Sequence, residues 1–138
     1  MTQLVRDAMV PEPGTLAGDA SAQDAGAHLS DPAVRAVLVC DAEGNLLGVV
    51  TRKTLVEAVV AAGRDPAATT LREIAEPPLF TLEASMDLDD AFHELEEQDL
   101  ERVPVVEDGR LVGILSRTIV QRRLAEDEPP PLEADSVR

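Results

Sequence analysis

The chain states one pattern twice. Displaced by 66 residues, Arg6 falls on Arg72, Pro11 on Pro77, Thr15-Leu16 on Thr81-Leu82 and Asp24-Ala25 on Asp90-Ala91. Leu29 falls on Leu95, Val37 on Val103 and Val39 on Val105. After a slip of one residue, Gly44-Asn-Leu-Leu-Gly-Val-Val-Thr-Arg52 lies over Gly109-Arg-Leu-Val-Gly-Ile-Leu-Ser-Arg117. A tandem repeat of this kind predicts two copies of one supersecondary unit about a pseudo-twofold axis, with the seam between them as the surface of interest. At 138 residues the chain suits two half-domains sharing a core better than two independent domains.

The turn and strand signals recur in each copy. Leu4 to Met9 and Leu71 to Ala75 read as short amphipathic turns, followed by Pro11 and Pro13 or by Pro77 and Pro78. Thr15-Leu16 and Phe80-Thr81-Leu82 read as short extended pieces. Ser21 is placed to cap a helix over 22–29, shortened by Gly26 and Asp31-Pro32, and Asp87 or Ser85 to cap one over 88–98. Ala36 to Cys40 and Val103 to Val106 are apolar, β-branched runs suited to buried strands. Gly44 and Gly109 mark hairpin bends that lead to return strands over 46–50 and 111–115. Thr51 and Ser116 then stand as N-caps of helices running to about Ala62 and Ala125. Each copy is therefore β-α-β-β-α, an α/β (α+β) fold, with repeats over 1–66 and 67–125. The acidic, Pro-rich 126–138 reads as a disordered tail.

Composition narrows the partners. The net charge of −15 argues against nucleic acid and anionic membrane, since phosphate contacts need clustered cations. With Phe80 and Phe92 as the sole aromatics, base-stacking platforms are lacking as well. No apolar stretch is long enough for membrane insertion, and the first residues carry no leader-like apolar region. A single Cys40, inside an apolar run, fits a reduced thiol in a cytoplasmic protein. Eleven Arg against one Lys point to a GC-rich bacterial source.

The doubled β-α-β-β-α unit, with Gly-Asn-Leu-Leu-Gly-Val-Val-Thr-Arg in one copy and Arg-Val-Pro-Val-Val-Glu-Asp-Gly-Arg-Leu-Val-Gly-Ile-Leu-Ser-Arg in the other, resembles a tandem pair of CBS domains, also called a Bateman module. The resemblance covers residues 1 to 125. It implies a regulatory, non-catalytic module that binds an adenosine-type effector (AMP, ADP, ATP or S-adenosylmethionine) in the inter-repeat cleft. It implies no required cofactor. It further implies a homodimer, and a regulated partner such as an enzyme, channel or transporter.

Several residues suit such a cleft. Thr51 and Ser116 sit where strand turns into helix, and the free N–H groups of a first helical turn favour anions, with Arg52 and Arg117 beside them. The same hydroxyls serve equally as plain N-caps. Arg102 precedes Val103-Pro104 and is a candidate phosphate contact or a partner of Glu101; its first-copy counterpart is Ala36. Val37, Leu38, Val103 and Pro104 would flank a purine or fill the core, and Thr15 and Thr81 complete the candidate set.

The chain departs from the family motif three residues after the Thr or Ser. There the family carries an Asp whose carboxylate accepts from both ribose hydroxyls, and this sequence has Thr54 and Ile119. Thr54 offers one neutral acceptor and Ile119 none. On this reading the Thr54 half suits ribose, the Arg102 side suits phosphate, and a Thr54→Asp change should tighten nucleoside binding. The missing carboxylates leave a second reading open, an effector-free dimerisation or adaptor module. His28 and His93 are not equivalent between copies and lack motif partners, which argues against an enzyme. Asp90, Glu94 and Glu97 form a solvated helix face without the ligand spacing of a cation site.

Overall fold

Apolar β-branched runs set the strands, and hydroxyl or carboxylate caps set where the helices begin. The computed structural model describes residues 3–11, 13–78 and 80–127. In chain order the elements are α1 (Val5–Ala8), β1 (Val10–Pro11), β2 (Thr15–Ala17), α2 (Ala22–Leu29), β3 (Ala36–Cys40), β4 (Leu46–Thr51) and α3 (Arg52–Leu55). The path continues as a π-helical turn (Val56–Val60), α4 (Leu71–Ile74), β5 (Leu82–Glu83), α5 (Leu88–Glu97), β6 (Arg102–Glu107), β7 (Arg110–Ser116) and α6 (Arg117–Asp127). The expected tail falls on 128–138, outside the described residues.

The caps act as the residue types predict. Ser21 Oγ accepts from Asp24 N at 3.1 Å, and the Asp87 carboxylate accepts from Asp89 N at 2.8 Å. Helix α2 has eight residues and α5 has ten, consistent with Gly26 in the first and not the second. Two local expectations shift. The helix after Thr51 widens to π geometry at Val56–Val60, with Ala61 N donating to Val56 O, instead of running as an α-helix to Ala62. Strand β5 begins at Leu82, so Thr81 lies just before it and is exposed.

Among the described residues two sheets form, with orders β2-β3-β4 and β1-β7-β6-β5. In each, a parallel pair (β2·β3, β5·β6) adjoins an antiparallel hairpin (β3·β4, β6·β7). Gly44 and Gly109 take φ of 89° and 81° at the hairpin bends, where a side chain would be strained. The bends also meet each other. Leu46 N donates to Gly109 O at 3.2 Å, and Leu111 N donates to Gly44 O at 3.0 Å.

The leading segments cross over. Strand β1 pairs with β7 of the second copy (Val10 opposite Ile114, Pro11 opposite Gly113). Glu76, which corresponds to Val10, pairs with Val49 of the first copy. Val5 and Ala8 are buried in the core around Leu88, Leu95 and Leu115. Leu71 and Ile74 are buried in the core around Leu29, Val39 and Val50. Further backbone bonds obey the same exchange: Val5 N to Met86 O mirrors Leu71 N to Ala20 O, and Leu88 N to Gln3 O mirrors Ala22 N to Thr69 O. This reciprocity is the pseudo-twofold relation in hydrogen bonds.

The crossing demands close backbone approach. A Cβ on Gly48 would stand 2.6 Å from Glu76 O, and one on Gly113 would stand 2.8 Å from Val10 O. Gly48→Ala should therefore prise segment 75–76 off β4 and lower the unfolding free energy by about 1–3 kcal/mol, the usual cost of overpacking. Urea denaturation followed by circular dichroism measures it. An unchanged midpoint would show that the approach tolerates a methyl group.

Candidate functional site

The strand-to-helix junctions are built differently in the two copies. In the first, Thr51 Oγ1 accepts from Thr54 N at 3.2 Å, and Thr54 Oγ1 accepts from Thr51 N at 3.0 Å. The two hydroxyl oxygens are 3.0 Å apart, and Thr54 Oγ1 donates to Glu76 Oε1 at 3.0 Å. Because the Thr54 proton goes to Glu76, the Thr51 hydroxyl is the donor to Thr54. A relay Thr51→Thr54→Glu76 results. Thr54 is only 2% exposed, whereas Glu76 faces solvent.

In the second copy the carboxylate comes from just before the strand. Glu101 Oε2 accepts from Ser116 Oγ at 3.0 Å, Thr118 Oγ1 at 2.9 Å and Thr118 N at 3.3 Å. Arg117 Nε lies 3.8 Å from Glu101 Oε1, and Arg117 also pairs with Asp99 at 3.4 Å. The Thr118 hydroxyl above all, with Ser116, the Thr118 N–H and Arg117, holds the Glu101 carboxyl below the usual Glu range, against burial, which raises it. The position at the start of α6 where an external anion was expected is thus filled by this chain's own carboxylate.

These arrangements redirect several sequence expectations. Arg52 donates to Asp31 O at 2.9 Å and Val34 O at 2.7 Å, so it closes the loop between α2 and β3. Glu101 is engaged with Ser116, Arg117 and Thr118, and no bond joins it to Arg102 among the described residues. Arg102 is exposed and stands opposite Ser116 in the β6·β7 pairing, as Ala36 stands opposite Thr51. Among the described residues no hydrogen bond or ion pair brings Arg102 to the Thr51–Thr54 relay. An Asp at position 54 would set a second carboxylate against Glu76 and delete the donor that anchors it.

The apolar candidates divide by strand alternation. Val37 (6% exposed) and Val103 (1%) belong to the two cores. Leu38 is buried but outside both cores, and Pro104 is half-buried, both on the opposite sheet face. Thr15 is exposed on β2. Two concavities lie away from these residues, one at the hairpin bends (Gly44, Asp108, Arg110) and one between α2 and the π-helical turn (Gly26, Leu55, Val59).

Other chemistry is weakly provided for. Burial, then the negative charge of Asp41, pushes the Cys40 thiol up, which disfavours the thiolate. His28 and His93 are both exposed. Among the described residues no group of His, Cys, Asp or Glu could hold a metal ion, and no helix is long and apolar enough to cross a membrane.

Sequence reasoning missed Glu76 and Glu101 as the carboxylates that meet the junction hydroxyls. The one available signal was the repeat itself, which sets Glu76 against Val10 and Glu101 against Arg35. Polar residues that differ between otherwise matching copies mark where the copies do different work.

The family model for the CBS domain matches twice, at residues 5–61 and 71–126. Hypoxic response protein 1 of Mycobacterium tuberculosis (strain ATCC 25618 / H37Rv) is 29% identical over 99 residues, 72% of this chain and 69% of that protein. The crystal structure of Hypoxic Response Protein I with two coordinated zinc ions superposes with a TM-score of 0.74 at 26% identity, covering 88% of this chain and 98% of the other. The crystal structure of CBSX2 in complex with AMP superposes with a TM-score of 0.69 at 28% identity, covering 89% and 96%.

The Glu101 cap has a pH signature. In the unfolded chain its carboxyl titrates in the usual range, and in the folded chain lower. Its contribution to stability is therefore complete above the usual Glu range and is lost as pH falls through the lower folded value. Urea midpoints measured from pH 7 downward should show wild type above Glu101→Gln, with the gap closing in acid. A gap independent of pH would show that the carboxylate charge plays no part.

Proposed function

This chain belongs to the CBS-domain family, and from that premise we propose that it is a regulatory module that binds an adenosine-type ligand between its repeats and relays occupancy to a partner protein. The observation that carries the reading is the Thr51–Thr54–Glu76 relay. It ends in an exposed carboxylate at a strand-to-helix junction, held by segments from both repeats. The AMP complex of CBSX2, a neighbour over 89% of this chain, supports adenosine as the ligand class. Arg102, exposed at the start of β6, is the candidate contact for phosphate.

A second reading has its own support. Ser116 is fully engaged by Glu101, and Arg117 is paired twice, which favours an adaptor that binds its partner without nucleotide. Val56 (56% exposed) and Val60 (71%) leave apolar surface on one helical face, suited to a second copy. On that account Val60→Asp should shift a dimer to monomer in sedimentation equilibrium. Wild type sedimenting as a monomer would remove the dimer.

A ligand that prefers the folded state raises its melting temperature by mass action. Millimolar AMP, ATP or S-adenosylmethionine should raise the Tm of wild type. Arg102→Ala should blunt the response to AMP and ATP more than that to S-adenosylmethionine, with the ligand-free Tm unmoved. A flat profile across all three ligands would leave the adaptor reading standing.

A further inference from the structure

We propose that Glu76 is the acceptor for the vicinal ribose hydroxyls of the ligand, and that the chain carries one such site, not two. The inference rests on the adenosine-type reading above and names the group that recognises the sugar.

Glu76 is fixed at three points. Its backbone exchanges both hydrogen bonds with Val49 (Val49 N to Glu76 O 2.8 Å, Glu76 N to Val49 O 3.0 Å). Pro77 and Pro78 follow and restrict the chain beyond it. Its Oε1 accepts from Thr54, whose hydroxyl is buried and itself held by Thr51. The anchored carboxylate therefore reaches solvent already oriented, and no other bond engages its second oxygen among the described residues. An ionised carboxylate is acceptor-only with about four lone-pair sites, and adjacent hydroxyls supply two parallel O–H donors. Holding one oxygen leaves enough acceptor capacity for both.

The pseudo-twofold supplies an internal comparison. The position matching Glu76 is Val10, paired with Ile114 as Glu76 is with Val49, and the position matching Thr54 is Ile119. Val10 is 59% exposed, yet it offers no acceptor. A diol placed there would give up hydrogen bonds to water and gain none. Recognition of the sugar is thus confined to the half built from β4, α3 and residue 76.

Isothermal titration of the full chain with AMP and 2′-deoxy-AMP tests both parts. Wild type should bind one AMP per chain and bind 2′-deoxy-AMP at least about tenfold more weakly, the loss expected for one bond to a charged acceptor. Glu76→Gln should weaken AMP at least about tenfold and shrink the penalty for the missing hydroxyl. AMP binding by wild type with no deoxy penalty, an undiminished penalty in Glu76→Gln, or two AMP per chain would overturn the assignment alone. Failure of wild type to bind any adenosine ligand would overturn it together with the reading beneath it. Should Glu76→Gln not fold, the comparison of the two ligands on wild type and the stoichiometry still decide.

Discussion

The structure depends on the reciprocal crossing of the two leading segments. Each copy carries Val5-Arg6 or Leu71-Arg72 away from its own sheet and lays it on the other's. Val5 and Leu71 are both fully buried there. Burying one such side chain is worth roughly 1.5–3 kcal/mol, so the two together form a large fraction of the 5–15 kcal/mol by which domains are commonly stable. Neither core is complete without residues from the other copy. The seam is therefore made of two interlocked half-cores, and Gly48 and Gly113 follow from it because only glycine lets the crossing backbone come so near.

The same crossing explains how much the sequence could disclose. Strands β3, β4, β6 and β7, both hairpin bends and the caps Ser21 and Asp87 are local matters, fixed by apolar runs and short-range hydrogen bonds. They were legible residue by residue. The destination of the leading segments was not. Two copies that match at Arg6 and Arg72 present similar apolar residues to either sheet, so periodicity is satisfied whether a segment packs on its own copy or on the other. Tertiary packing decides, and the repeat pattern is silent about it.

The candidate site was legible only where function and local structure coincide. Thr51 and Ser116 were evident because a hydroxyl at a strand-to-helix junction caps the helix in any case. Arg52 and Arg117 looked available because their partners, the Asp31 and Val34 carbonyls and the Asp99 and Glu101 carboxylates, lie many residues away along the chain. Glu76 was hidden for the same reason: it meets Thr54 across 22 residues of chain, through the pairing with Val49. The gap seen at the family's Asp position was real as a sequence fact. In three dimensions a carboxylate stands one hydrogen bond beyond it, carried in by the other copy.

That origin bears on how such a module would signal. A ligand shifts an equilibrium only by the difference in its affinity for the two states. A sugar held wholly by one copy would be bound equally well however the copies were arranged, and would report nothing. On the proposed reading the relay begins on β4 and α3 and ends on Glu76, which leads through Pro77-Pro78 to β5 of the other sheet. Any displacement that parts Val49 from Glu76 would then cost the ligand an acceptor, and by linkage the ligand opposes that displacement by the same free energy. Coupling of this kind needs no long path. It needs one contact shared between copies, together with a second half-site at Val10 and Ile119 that lacks the contact, so that occupancy of one cleft biases the module in one direction.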